Sequence, residues 1–443
     1  MISSLFFRFR LFSRRLWVRS ALISGLALIA AFLAPLGNYI PFGIAAKIDE
    51  ETLQDLLDVI TASMLTVSTF SLSIMVSAHL AADANTTPRA HRMLQQDSRT
   101  QTVIATFIGA FVYALAMTVM IDFGVFQTGE FALIYAFTVA VAALIVAALL
   151  RWVGHLDGLG SVEATLRRAE ARAVESIDVY RRTPFLGGRS PKGDVAGALQ
   201  ELTAERSGFL QNVDTAKLSK DLDHWGGTAY LRHRPGAWLA QGDVLAEIGI
   251  DRLDEDRQAK LRAAFTIDDR REPGQDVIQS LIVLAEIGER ALSPGINDPR
   301  TGLDAISRIT RLVLTMPAER ELDQPPAPRV FVPALKTEEV LAATLDPLAR
   351  DGKAFFEVQI SIQTAAAQLA THDAAGIREA AVDLSARGLA YAEDGLLLAQ
   401  DMRKIAARAL ADGPAATLDA DRAASPQGDG PDPMHAERAA RDA

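Results

Sequence analysis

The first third of the chain contains four apolar stretches that lack Asp, Glu, Lys and Arg. They cover residues 20–46, 59–82, 100–121 and 131–150. An α-helix rises about 1.5 Å per residue and the hydrocarbon core of a bilayer is about 30 Å thick, so about 20 such residues cross it once. The pattern therefore predicts a membrane domain over residues 1–153 with four transmembrane helices, at about residues 17–40, 58–82, 100–121 and 131–152.

Basic residues are distributed unevenly on the two sides of these predicted helices. Five arginines precede the first apolar stretch and three more lie between the second and the third: Arg8, Arg10, Arg14, Arg15, Arg19, Arg89, Arg92 and Arg99. In the loops on the opposite side, Lys47 is the only basic residue. Since Lys and Arg concentrate in cytoplasmic loops, we predict that both termini are cytoplasmic. The alternative is a cleaved signal peptide over residues 1–35, but its apolar run exceeds the usual length of about 7 to 15 residues.

Beyond residue 151 the sequence becomes rich in Arg, Glu and Ala with helical spacing, which predicts a juxtamembrane helix over residues 154–183. Its apolar side chains recur every three or four residues, as on one face of an amphipathic helix. They are Val162, Leu166, Ala169, Ala173, Ile177 and Tyr180. This face either packs on the chain's own cytoplasmic domain or associates with a second copy, although it is too short and too rich in alanine for a convincing coiled coil.

The remainder of the sequence predicts a cytoplasmic α+β domain. Residues 200–320 are expected to hold a small β module, with strands within residues 208–213, 228–233 and 237–248, and then two helices at about 274–292 and 299–316. Gly242 and Asp243 predict a turn between two strands, and the absence of a lysine there gives no support for an attached lipoyl-type cofactor. Residues 334–411 are expected to be helical, with a last helix over 374–411. Residues 412–443, rich in Pro, Gly, Ala and Asp, are expected to be disordered.

Composition narrows the chemistry further. The chain has no cysteine, which excludes disulfides, thiolate metal sites and a cysteine nucleophile. Its histidines are scattered without metal-ligand spacing, and no nucleotide-binding or nucleophile-elbow motif is present, so we predict no metal, no cofactor and no catalytic residue. The net charge of −10 argues against nucleic-acid binding.

The second apolar stretch is unusually rich in hydroxyl groups. Thr66, Thr69, Ser73 and Ser77 follow one another at steps of three and four residues, so they share one helix face, which Asp58 extends toward the periplasmic end. Such a face is suited to a water-filled or ion-conducting path. The alternative is helix packing, because Ser and Thr allow close helix contact and bond their own i−4 carbonyls.

Three phrases of the sequence resemble the bacterial predicted membrane proteins grouped as domain of unknown function 2254. They are residues 70–77, residues 109–113 and, most specifically, residues 290–301. The resemblance covers most of residues 1–410 and implies a multi-pass protein of the bacterial inner membrane with a cytoplasmic domain. It implies no activity and no catalytic residues. Arg300 stands where the family pattern favours an apolar residue.

The most specific phrase also has a physical interpretation of its own. Its residues Ser293, Pro294, Gly295, Asn297, Asp298 and Pro299 predict a tight corner between two helices. Pro294 and Gly295 end the first helix, and Asp298 followed by Pro299 caps and begins the second. The alternative is an anion site at the start of the second helix, beside Arg290 or Arg300. The carboxylate of Asp298 argues against this alternative, because it already occupies that position.

These patterns together predict an α-helical membrane protein with four transmembrane helices and a cytoplasmic α+β domain. We expect a homo-oligomeric channel or transport-type protein whose second span offers Asp58, Thr66, Thr69, Ser73 and Ser77 to an ion or small solute, with the lipid bilayer as its other partner. The alternative is a membrane-anchored ligand-sensing or scaffold protein that acts through the β segment near Trp238. An enzyme is not expected.

Overall fold

The computed structural model describes residues 16–39, 50–85, 87–90, 98–127, 130–156, 161–191 and 199–410. The chain divides into two compact units, the membrane unit Met1–Arg168 and the C-terminal unit Ala169–Ala443. The tail predicted to be disordered, residues 412–443, lies outside the described residues.

The membrane unit is built from helices. Helix α1 covers Leu16–Leu33 and continues into a 3₁₀ turn at Ala34–Tyr39, after which come α2 (Glu50–Asn85), α3 (Ser98–Asp122) and α4 (Phe131–Leu156). Three of the helices are long and apolar enough to cross a membrane, over Glu50–Ala78, Gln101–Asp122 and Phe131–Gly154. The first predicted span corresponds to a shorter apolar helix, Ser20–Leu36, about 25 Å long by its helical rise. The described residues therefore contain three candidate spans where the sequence predicted four.

Helix α3 lies at the centre of the membrane unit. Within the apolar windows, 56% of the residues of α3 are buried, against 28% for α4 and 17% for α2. Gly109 of α3 lies so close to α1 that a Cβ atom placed on it would lie 2.6 Å from Cβ of Ile23. Tyr113 of α3 and Thr138 of α4 are both buried, and their hydroxyl oxygens are 3.1 Å apart. Glycine and a buried hydrogen bond thus hold α3 tightly between its neighbours.

The juxtamembrane helix is α5 (Val162–Arg182), and the boundary between the two units falls within it. In the C-terminal unit its apolar side chains Ala173, Ile177 and Tyr180 are buried. On the same part of the helix, the Ser176 and Ser280 hydroxyl oxygens are 2.7 Å apart. This part of the predicted apolar face therefore packs on the chain's own domain.

The β module consists of two small sheets around one hydrophobic core. The strands are β1 (Leu199–Thr203), β2 (Gly208–Val213), β3 (Thr228–Leu231), β4 (Trp238–Leu239), β5 (Val244–Gly249), β6 (Phe265–Asp268) and β7 (Val330–Phe331). The first sheet has the order β1-β5-β3-β7 and the second β4-β2-β6. All pairings are antiparallel except β3 with β7. The predicted turn at Gly242 and Asp243 is present, and it joins β4 of the second sheet to β5 of the first.

Helices make up the rest of the C-terminal unit. Two short ones, α6 (Thr215–Trp225) and α7 (Glu255–Arg262), accompany the strands, and the others are α8 (Val277–Leu292), α9 (Pro299–Leu314), α10 (Glu338–Asp351), α11 (Phe356–Leu369), α12 (Ala375–Gly395) and α13 (Ala399–Ala406). The single helix predicted over residues 374–411 is wrong in one respect, because α12 and α13 are separate. At the break, a Cβ atom on Gly395 would lie 2.4 Å from the backbone oxygen of Lys353. The chain passes too close to its neighbour there for any residue but glycine.

Candidate functional site

The hydroxyl face predicted from the sequence lies on α2 and points away from the protein. Thr66, Thr69, Ser73 and Ser77 are all exposed, and so is Asp58. The opposite side of the helix carries the buried residues Leu53, Leu57, Ile60 and Met64, which belong to the core of the membrane unit. The hydroxyl face is therefore not covered by other described helices of the same chain.

The threonine hydroxyls on this face donate hydrogen bonds to their own helix. The Thr66 hydroxyl lies 3.1 Å from the Ala62 carbonyl oxygen, and that of Thr69 lies 3.1 Å from the Leu65 oxygen and 2.9 Å from the Thr66 oxygen. Back-bonding of this kind removes the cost of an unpaired donor in an apolar medium. It leaves the oxygen lone pairs available to a solute.

A second hydroxyl strip on α2 faces the protein instead. Ser71 is 1% exposed, and Ser68 and Thr61 are half-buried. The Thr61 hydroxyl donates to the Leu57 carbonyl oxygen at 2.8 Å, whereas the hydroxyl oxygens of Ser68 and Ser71 have no hydrogen-bond partner among the described residues. The packing alternative therefore suits this strip, and the two strips of one helix occupy different environments.

Acidic side chains lie at the amino-terminal end of the exposed face. Asp58 was expected there, and Asp55, seven residues before Ala62, occupies the same side and is exposed. The sequence prediction did not include Asp55, although its spacing of eleven residues, about three turns, from Thr66 places it on the same face. Asp122, at the end of α3, accepts a hydrogen bond from Gln54 at 3.2 Å, which ties it to the start of α2.

The corner motif joins α8 to α9 in the C-terminal unit. Asn297 has a φ of +56°, in the left-handed region that Asn tolerates. Asp298 accepts hydrogen bonds from the backbone N–H of Thr301 at 3.2 Å and from its hydroxyl at 2.6 Å. These bonds hold the pKa of Asp298 below its usual range, although partial burial opposes the effect. A carboxylate thus occupies the helix start where an anion would bind.

A cavity of about 530 Å³ adjoins this corner. It is lined by Leu292, Ser293 and Pro294 together with Arg350, Asp351, Lys353, Tyr391 and Asp394. Arg350 pairs with Asp351, and Lys353 with Asp394. The charges on the wall are therefore balanced, and the geometry does not favour an anion over a cation. The sequence analysis missed this cavity, because its two walls lie 57 to 101 residues apart in the chain and no local pattern connects them.

A second cavity, of about 440 Å³, lies beside the β module. Its wall includes Arg234, Gly236, Arg271, Asp276 and Lys336. Arg234 forms an ion pair with Glu319 at 2.9 Å, and both side chains are almost fully buried. Glu319 also accepts hydrogen bonds from the backbone N–H groups of Phe185 and Leu335, at 2.8 and 2.9 Å. This carboxylate fixes three segments of chain around one edge of the cavity.

Asp276 holds another edge of the same cavity. Burial raises the pKa of Asp276, and the Arg271 guanidinium, 2.7 Å from its carboxylate, opposes that rise. The Asp276 carboxylate also accepts the backbone N–H of Gln279 at 3.0 Å and so caps α8. Trp238, which follows Ala237 of the cavity wall, is 59% exposed. A concave surface with convergent charged groups is suited to ligand binding, and Trp238 is the next residue in the chain after this wall.

Among the described residues, no group of three or more His, Asp and Glu side chains is placed to hold a metal ion. His372 is buried, its Nδ1 accepts the backbone N–H of Ala374 at 2.9 Å, and its Nε2 lies 3.1 Å from the Val313 carbonyl oxygen. An accepting Nδ1 places the proton on Nε2, which then donates to Val313. This histidine links the segment after α11 to the last turn of α9.

Comparisons with known proteins agree with a membrane location. A family model described as "Predicted membrane protein (DUF2254)" matches residues 13–368. Relatives named as uncharacterized proteins, from Mycobacterium tuberculosis and Mycobacterium bovis, are 24% identical over 270 residues, which is 57% of this chain and 50% of each relative. The chain thus spans about half the length of the curated relatives it matches. No solved structure matches the chain with significance.

Proposed function

The chain belongs to this family of predicted membrane proteins, and from that premise we propose that it forms a homo-oligomeric channel or transport-type protein of the bacterial inner membrane. In this proposal α1 completes a set of four spans, both termini are cytoplasmic, and α2 borders an aqueous path shared between protomers. The path would take an ion or a small solute.

The observation that carries this proposal is the exposure of the hydroxyl face of α2. Four hydroxyl side chains lie in a row on the side of α2 that its own unit leaves uncovered. Lipid acyl chains offer these hydroxyl groups no hydrogen-bond partner. The hydroxyl groups are suited to a path in which oxygens replace part of the hydration of a solute. Four helices per protomer are few for a roomy pore, so the path requires several copies of α2 around it.

The acidic end of the face suggests the charge of the solute. Asp55 and Asp58 are exposed at the amino-terminal end of α2, and rings of carboxylates attract cations into a pore. We therefore expect a preference for cations over anions.

Flux measurements on liposomes that contain the full chain test the proposal. Replacing Thr69→Val and Ser73→Ala removes two hydroxyls with little change in volume and should lower cation flux at least several-fold. Thr118→Val is the matched control, because Thr118 of α3 back-bonds to the Ala114 carbonyl oxygen at 3.1 Å in the same way and is not on the proposed path. Equal flux through the double variant, the control and the unsubstituted chain would contradict the proposal.

The alternative function, sensing or scaffolding through the C-terminal unit, is supported by the cavity near Trp238. It predicts that Trp238→Ala weakens capture of one specific partner or ligand by the full chain. Trp225→Ala would be a poor control because Trp225 packs against the core, whereas Ile296→Ala removes a side chain that is 44% exposed elsewhere in the unit. Failure of both the unsubstituted chain and the Ile296 variant to capture anything would count against this alternative.

A further inference from the structure

The loop between α12 and α13 carries the most exposed large apolar side chain among the described residues. Leu397 is 98% exposed and the next residue, Leu398, is 64% exposed. In the described part of the C-terminal unit the next most exposed large apolar side chain is Trp238, at 59%. Two adjacent leucines in water are unfavourable, since each loses the free energy that burial of its side chain would provide.

Hydrogen bonds and packing hold both ends of the loop, so the exposure of its tip follows from the fold. The backbone N–H of Leu396 donates to the Ala392 carbonyl oxygen at 2.9 Å, and Leu396 packs against the small core of α11, α12 and α13. On the other side, the Leu398 carbonyl oxygen accepts the backbone N–H of Asp401 at 2.9 Å. The close approach of Gly395 to the Lys353 backbone fixes the entry to the loop. Leu397 and Leu398 are the large apolar side chains that project from this frame.

Basic residues follow the two leucines. Arg403, Lys404 and Arg408 are exposed, and Asp401 is the only acidic residue between positions 395 and 410. The Lys404 ammonium lies 3.8 Å from the Asp401 carboxylate, a half-exposed pair that contributes little, so an anionic headgroup can compete for this lysine. On the preceding helix, Asp394 is paired with Lys353, which leaves Glu393 as the remaining nearby acid in the sequence. Apolar side chains at a tip with cations beside them match a bilayer surface with anionic headgroups.

We propose that the Leu396–Leu398 loop is a lipid anchor, in which Leu397 and Leu398 enter the acyl region of a bilayer surface and Arg403 and Lys404 bind the phosphates of anionic lipids. A projecting pair of leucines needs a soft apolar medium and no preformed groove, which favours lipid over a second copy of the chain. The tail over residues 411–443 is a poor occupant because its bulky apolar residues are Leu418 and Met434 alone. Because the same chain carries the membrane spans, lipid is present at a high effective concentration.

This anchor is independent of any transported solute. It assigns the C-terminal unit a second attachment to the membrane, in addition to its covalent link through α5. Attachment at two points restricts the orientations of the unit relative to the bilayer surface, which matters for any partner that must reach it.

The full chain contains no cysteine, so one introduced thiol can be labelled uniquely. Leu397→Cys carries an environment-sensitive fluorophore, and the protein is reconstituted in liposomes that contain a lipid spin-labelled on the acyl chain. The control is Gln241→Cys, at an exposed turn of the β module. We expect a blue-shifted emission and several-fold stronger quenching at position 397 than at position 241. Equal quenching at the two positions would overturn the proposal.

Two further arms separate lipid from protein as the occupant. A blue shift at position 397 without quenching by the spin-labelled lipid would indicate burial against protein and would also overturn the proposal. In vesicles that contain phosphatidylglycerol, the added changes Arg403→Glu and Lys404→Glu should lower the quenching several-fold, and in vesicles of phosphatidylcholine alone they should change it little. The same loss of quenching in both kinds of vesicle would contradict the role given to the anionic headgroup. Unchanged thermal unfolding of each variant confirms that the chain remains folded.

Discussion

Glu170 on α5 forms ionic contacts that hold α5 against α9. It accepts hydrogen bonds from Arg308 and Arg311 of α9, and Arg308 also pairs with Asp304 at 3.0 Å. Burial favours the neutral form of Glu170, but the hydrogen bonds and charges of Arg311 and Arg308 outweigh it and hold the pKa below its ordinary value. The carboxylate therefore contributes to stability in its ionised form.

The stability contributed by Glu170 should depend on pH. An acid with a depressed pKa in the folded state stabilises the fold above its unfolded pKa, and this contribution is lost as the pH falls through the folded pKa. We expect Glu170→Gln to lower the free energy of unfolding by about 1–2 kcal/mol at pH 7 and by much less at a pH below about 4. Thermal unfolding of the full chain in detergent at both pH values measures the difference.

Glu175→Gln is the control for this prediction. Glu175 lies on the same helix and pairs with Arg172 at 3.1 Å, but both side chains are more than half exposed, and exposed ion pairs contribute little. Equal stability of the two variants at pH 7 would show that Glu170 is not a fastening residue.

Asp298 is the second residue whose effect can be isolated. Its carboxylate satisfies the Thr301 N–H and hydroxyl at the start of α9, so Asp298→Ala should destabilise the fold by about 0.5–2 kcal/mol. Asp269→Ala removes an exposed carboxylate from a loop and should have little effect. Urea unfolding followed by the tryptophan fluorescence of the C-terminal unit tests both; a loss as large for Asp269 as for Asp298 would contradict the capping role.

At the scale of elements, the contact between α1 and α3 depends on one missing side chain. A Cβ atom on Gly109 would lie 2.6 and 2.8 Å from the Cβ and Cγ2 atoms of Ile23, and 3.1 Å from the Ser20 carbonyl oxygen. Ala105, one turn earlier, is fully buried. The small-xxx-small spacing in the sequence thus corresponds to a close helix contact.

Gly109→Ala should therefore separate α1 from α3. We expect a loss of about 1–3 kcal/mol, as for other insertions into a tight core, measured as a lower melting temperature in one detergent. Gly154→Ala is the matched control, since nothing lies within 4 Å of a Cβ atom there. Ile23→Gly removes both clashing atoms, so Gly109→Ala should cost less in the Ile23→Gly background than in the unsubstituted chain; an equal cost in both backgrounds would mean that this contact is not the cause.

The apolar periodicity of the sequence did not predict the break between α12 and α13. The sequence from residue 374 to 411 has the apolar spacing of one helix, and Gly395 alone is a weak signal for a break. At the break, Gly395 lies against the backbone of Lys353, which is distant in sequence. The exposed leucine tip follows from that break.

At the scale of the whole molecule, the proposed path requires copies of α2 to meet. Thr69→Trp places a bulky ring on the exposed hydroxyl face and should break the oligomer in nanodiscs. Val112→Trp, on α3 at a side chain that is 39% exposed, should leave the oligomer intact because that surface faces lipid in the proposal. Mass measurement of the nanodisc particles decides the matter, and a monomer for the unsubstituted chain would contradict the proposal outright.

Several properties of this protein follow from local sequence alone. The lengths of the uncharged runs identify the apolar helices, since crossing a bilayer depends only on rise per residue and side-chain polarity. Strands β2 to β5 and the cap at Asp298 were also predicted, because turn and cap chemistry acts over a few neighbouring residues. Strands β1, β6 and β7 were missed. The family resemblance rests on the same local phrases, and the match over residues 13–368 confirms it.

The tertiary structure decided which surfaces remain uncovered. Periodicity placed Thr66, Thr69, Ser73 and Ser77 on one face of α2, but only packing could show that α3 covers the opposite side. It also placed Arg350 and Tyr391 beside Ser293, and it left Leu397 and Leu398 projecting. Burial and proximity depend on contacts between residues far apart in the chain, and no short stretch of sequence contains that information.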